Sequence, residues 1–197
     1  MTPRSWPRSR VRGQFTTILF VAIVATGCWS SGTTRSGGPL YVFGGNAITV
    51  SDSRTPTGEA RSAGSIPLCL PDTDADITLQ RIDPIDVVGE VHLDGFGVRT
   101  THWGRPHGPG NPDTEMIGIE KSIPRDVRSP AGYRVPTPCD GTTRRVGEVV
   151  VTLTKTGAGG GSLQGLRITY RADGSTYATD VAFSFFLCGT QAEDRYC

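Results

Sequence analysis

The sequence predicts an all-β protein, a single β-sandwich of about five to seven strands carrying one long proline-rich loop. Three observations predict it. Apolar and polar residues alternate with period two through much of the second half. Glycine and proline, 26 and 14 of the 197 residues, punctuate these runs. No window of useful length shows apolar residues at helical spacing with capping residues at its ends.

Each element follows from its own pattern. Ile77-Thr78-Leu79-Gln80 alternates and is bounded by turn residues, so it reads as a strand. In Glu90 to Arg99, Val91 and Leu93 fall on one parity, Phe96 and Val98 on the other. A bulge at Asp94-Gly95 is therefore needed to keep all four on the core side. Val149, Val151 and Leu153 alternate with Val150, Thr152 and Thr154, while Leu166, Ile168 and Tyr170 alternate with Arg167, Thr169 and Arg171. Each reads as a half-buried strand. Asp173-Gly174 accepts positive φ at both positions, which suits a tight hairpin whose twist matches its strands. Beyond it, Tyr177, Thr179, Val181, Phe183, Phe185 and Leu187 keep one parity. Residues 65 to 197 have the size of one immunoglobulin-like sandwich, without that superfold's Trp and disulfide spacing, so the resemblance is one of architecture.

Between Thr100 and Pro138 no strand pattern appears, and seven of the fourteen prolines fall there. Unstructured stretches of this length are uncommon in compact domains and often carry function. Trp103, Arg105 and Tyr133 within it are residue types favoured as interface anchors, so they are the candidate binding residues.

The N-terminus indicates the compartment. Arg4, Arg8, Arg10 and Arg12 precede the apolar run Phe15 to Ala25, which is too short to span a bilayer and suits a signal-peptide core. Ala25-Thr26-Gly27-Cys28 resembles the lipobox of bacterial lipoproteins, with Ala25 where that family most often has leucine. The resemblance implies that Cys28 is acylated and becomes the first residue, anchoring the domain on the extracytoplasmic face of the cell membrane. Residues 1–27 then read as signal peptide and 28–64 as a flexible tether with at most one strand, Leu40 to Val50; 65–197 form the sandwich. Cys69, Gly95 to Arg99, Gly165 to Gly174 and Leu187 to Cys197 are similar to segments of small, uncharacterised lipoproteins of high-GC Gram-positive bacteria. That likeness implies no activity.

Four further cysteines, Cys69, Cys139, Cys188 and Cys197, fit two disulfides in an oxidising compartment. Three connectivities are open. The reading favours Cys188 with Cys197, closing a short C-terminal loop, and Cys69 with Cys139. Removing the four arginines of residues 1–27 leaves 16 basic against 19 acidic side chains, a net −3, with no clustered basic patch. Nucleic-acid binding is thereby set aside.

Catalytic and metal signatures are sparse. His102 and His107 flank Trp103 and Arg105 in a Gly/Pro-rich stretch, with His92 on the preceding strand; five-residue spacing without a thiol is poor metal-ligand geometry. Asp72, Asp74, Asp76 and Asp83 match four positions of an EF-hand loop, but Ile77 stands where its glycine must be. Gln164 occupies the last glycine position of a nucleophile elbow in Gly160 to Gly165. No metal, cofactor or catalytic residue is therefore assigned. The expected function is binding, to an envelope protein or a wall component, through the Thr100 to Pro138 loop. A metal or small-ligand carrier and a hydrolase of unrecognised type are the alternatives.

Overall fold

Asp173 and Gly174 take φ of 47° and 76°. Both central residues of this two-residue turn are left-handed, so the flanking strands pair from Ala172 with Ser175 onward. In the computed structural model the described residues are 35–42, 48–53, 55–70, 75–102, 118–136, 145–189 and 197. They form ten strands: β1 (Arg35–Ser36), β2 (Tyr41–Val42), β3 (Ile48–Asp52), β4 (Ala60–Cys69), β5 (Ile77–Gly89), β6 (Val91–His102), β7 (Ile119–Glu120), β8 (Arg145–Lys155), β9 (Gly160–Ala172) and β10 (Ser175–Cys188).

Two sheets result. In the first, β5, β9 and β10 are antiparallel, and β1 and β3 run parallel to β10 along its far edge. In the second, β6, β8 and β4 are antiparallel, and β2 and β7 pair with the far edge of β4. One buried apolar cluster joins the sheets, drawing Leu163, Leu166, Ile168 and Tyr170 from β9, Phe183, Phe185 and Leu187 from β10, and Val149, Val151 and Leu153 from β8. Burying each such side chain contributes about 1.5 to 3 kcal/mol. The fold is thus an all-β sandwich.

Bulges keep the strands facing this cluster. Leu93 pairs with Leu153 but Gly95 with Thr152, so Asp94 is the extra residue, as the parity switch required. A second bulge at Gln80 lets both Leu79 and Ile82 face inward. On β10 two residues oppose Gly165, whose φ is +81°, and Leu163 and Leu166 both reach the core.

The stretch read as tether also contributes to the sheets. β1, β2 and β3 lie within 28–64, and β4 begins at Ala60. The first half of β4, Ala60-Arg61-Ser62-Ala63, has no apolar alternation because its burial is polar. Ser62 Oγ meets Thr152 Oγ1 at 2.9 Å. Arg61 Nε donates to Asp52 of β3 at 2.9 Å and its Nη1 to Glu59 at 3.0 Å, tying the two sheets together. Next to this pairing, at the end of β8, buried Lys155 donates to the carbonyls of Cys188 (2.6 Å) and Thr55 (3.2 Å). Each of these buried polar groups has a partner, as burial demands.

Cys188 and Cys197 form a disulfide, the pairing expected from the sequence. Cys69 is disulfide-bonded as well. Cys28 and Cys139 lie outside the described residues.

Candidate functional site

Within the expected loop, Thr100 to Pro138, the described residues are held against the sandwich. β6 runs on to His102, and residues 118–136 lie against the sandwich by main-chain pairing at three strands. Glu120 and Ile119 pair with Ser62 and Ala63 of β4. Arg128 exchanges hydrogen bonds with Val98 of β6, N to O at 2.8 and 2.9 Å. Gly132, Tyr133 and Val135 do the same with Leu79 and Ile77 of β5. The segment therefore crosses the outer face of the second sheet from the β4 edge to the β6 edge, then reaches the first sheet at β5.

That crossing explains the burial of β8. From Val146 to Lys155 it is buried on both faces apart from Thr154, whereas the alternation of its sequence predicted one exposed face. Ile123 and Val127 border, with Val150, Thr152 and Phe96, a hollow of about 220 Å³ under the segment. Gly97 is required there, because a Cβ at that position would collide with Val127. Glu148, fully buried, accepts from Arg99 Nε at 2.7 Å, and Arg99 Nη1 lies 3.5 Å from Asp126 of the segment. Their positions follow from register, since Arg99 and Glu148 are directly opposite on β6 and β8.

The same register places Thr100 opposite Gly147 and His102 opposite Arg145. Here, where the segment turns from β6 towards β5, a cleft of about 240 Å³ opens, lined by Arg99, Thr100, Asp126, Arg128, Tyr133 and Arg145. Tyr133 is its wall. The hydroxyl donates to the Arg99 carbonyl at 3.0 Å and meets Thr100 Oγ1 at 2.9 Å, and the ring packs over Gly147. Burial pushes the Tyr133 pKa up; the Thr100 hydrogen bond and the charges of Arg145 and Arg128 pull it down. Both guanidinium groups thus bear on one point of the cleft. Among the described residues neither Arg128 nor Arg145 has a carboxylate partner, while Arg99 is committed to Glu148 and Asp126.

Of the candidate binding residues, Tyr133 is described, and its hydroxyl is engaged within the molecule. Trp103, Arg105 and His107 lie outside the described residues, as do Asp72 and Asp74. Asp76, just before β5, accepts from Arg134 Nη2 of the segment at 2.7 Å. His92 is exposed, 3.9 Å from Asp94, whose carboxylate also accepts from Thr154 at 2.7 Å. Among the described residues no three His, Cys, Asp or Glu side chains group as metal ligands would. Arg99, Arg128 and Arg145 went unmarked in the sequence because they lie far apart in it, and only strand register and the docked segment bring them together.

No protein-family model matches the chain, and no curated protein does. Among solved structures, the N-terminal domain of PorA is similar to it over 74% of this chain and 89% of that one, with 9% sequence identity and a TM-score of 0.31. A likeness at that score carries no conclusion about fold or function.

Proposed function

We propose that the chain is a lipid-anchored binding protein of the bacterial cell envelope, held at the extracytoplasmic face of the membrane through acylated Cys28. Its sandwich is a rigid frame for the contact surface between Thr100 and Pro138. The observation that carries the reading is the docked segment: it is pinned to three strands and walls a cleft with two arginines that have no ion-pair partner among the described residues. Loops fixed on a stiff scaffold are where binding residues concentrate. The partner on this reading is an envelope protein or wall component, with Trp103 and Arg105 as further anchors on the preceding part of the segment.

Two measurements test it. A Cys28→Ser chain should move from the detergent phase to buffer, because stable anchoring needs the two or more acyl chains that this residue alone would carry. Acyl chains absent from the N-terminal peptide of the native protein would overturn the anchor. Retention on isolated wall and membrane fractions should fall when Arg128 and Arg145 are both changed to Glu. Unchanged retention would remove the cleft from the contact surface.

A further inference from the structure

We infer that the cleft is a site for a phosphoryl group, gripped between the guanidinium groups of Arg128 and Arg145; this rests on the binding-module reading and supplies its ligand chemistry. The argument begins with charge. The part of the chain after residue 27 is net −3, yet three arginines converge on one cleft whose lining holds a single carboxylate, Asp126. Asp126 is turned towards Arg99 at 3.5 Å, and Arg99 is fixed by buried Glu148 at 2.7 Å. Arg99 therefore contributes field, while Arg128 and Arg145 keep their donors for a ligand.

Geometry selects the anion. A guanidinium is a planar fork that binds two oxygens of one group in parallel. A carboxylate is satisfied by one such fork; a phosphoryl group presents enough oxygens for both. The Tyr133 hydroxyl spends its proton on the Arg99 carbonyl, so the donors facing the ligand come from the two arginines. At about 240 Å³ the cleft falls below the usual small-molecule pocket of roughly 300 to 1,000 Å³. It takes the anionic end of a ligand and leaves the remainder outside.

The backbone of Arg128 is held by Val98 and that of Arg145 by its pairing with His102 of β6, so side-chain replacements there leave the fold intact. Calorimetric titration of the full chain in neutral detergent should show saturable binding of inorganic phosphate and much weaker binding of acetate. Arg128→Gln and Arg145→Gln should each weaken phosphate about tenfold, as loss of a charge-assisted hydrogen bond does. Their combination should abolish it, and Arg81→Gln, on the exposed β5 surface, should change nothing. A parallel titration with dimethyl phosphate separates the sources: preference for the diester points to a lipid headgroup or wall polymer, preference for inorganic phosphate to a soluble ligand. No phosphate binding, acetate binding of equal strength, or full binding by the double variant overturns the inference. If the Gln variants lose phosphate while the Glu variants keep wild-type retention on envelope fractions, the envelope reading falls and the phosphoryl site stands. If phosphate fails to bind but the Glu variants lose retention, the reverse holds.

Discussion

β8 and β9 are both central strands with alternating sequences, but they end in opposite environments. The outward residues of β9 include Gln164, Arg167 and Arg171, all exposed. The outward residues of β8 include Glu148, Val150 and Thr152, all buried. What separates them lies elsewhere in the chain: residues 118–136 cross the face of β8. The same kind of side-chain pair consequently has two different weights. Arg99 with Glu148 is shielded from water, whereas Arg167 with Asp180, at 2.6 Å, is about half exposed on both sides. Screening by solvent reduces the second pair; desolvation makes the first costly to break.

The largest expected effect tests that difference directly. Arg99→Met should destabilise by about 3 to 5 kcal/mol, because it removes the guanidinium paired with a buried carboxylate. Urea unfolding would read it as a lower midpoint at constant slope. Adding Glu148→Met should recover much of the loss, and a double variant no better than the single one would mean that the pair is not what the segment shields.

A smaller effect probes how closely the segment is seated. Gly97→Ala inserts a methyl group against Val127, whose β-branched side chain has little freedom to move away, and overpacking of this kind costs about 1 to 3 kcal/mol. Val127→Ala on the same background should restore part of it. If Gly97→Ala is silent, the segment rides above the sheet more loosely than the contact implies.

Tyr133→Phe should cost less, about 0.5 to 1.5 kcal/mol for the hydrogen bonds to Arg99 and Thr100. The pH dependence gives an independent reading. Burial raises the Tyr133 pKa above its ordinary value of 10.0, so the folded state binds this proton more tightly than the unfolded chain does. The contribution is then fully present below pH 10 and lost as pH rises through the raised value. Tyr170, completely buried beneath Leu40, is raised by burial as well. Phenolate absorbance should lose one late-titrating tyrosine in Tyr133→Phe relative to the wild type; an unchanged late amplitude would mean that Tyr133 is solvated. The smallest effect belongs to β9, where Arg167→Met should leave the unfolding midpoint close to that of the wild type.

The period-two patterns, the hairpin at Asp173-Gly174 and the bulge at Asp94 were legible in the sequence because each depends on near neighbours. Alternation needs only a core on one side of a strand, a primed turn needs only two residues that tolerate positive φ, and a parity switch needs only a one-residue insertion. The Cys188 to Cys197 link was within reach for the same reason, since the two are nine residues apart. Tertiary structure alone decided the rest. The polar start of β4 is a strand because Thr152, Asp52 and Glu59 satisfy its side chains. The segment after residue 117 is docked because β4, β6 and β5 offer it unpaired main chain, and that main-chain pairing leaves no periodic trace in side chains. The cleft depends on both. Arg99, Arg128 and Arg145 are scattered along the chain, and a charged side chain reads alike in sequence whether it faces water, a buried carboxylate or a binding site. Only the pairing of β6 with β8, and the path of the segment over them, places the three around one cleft.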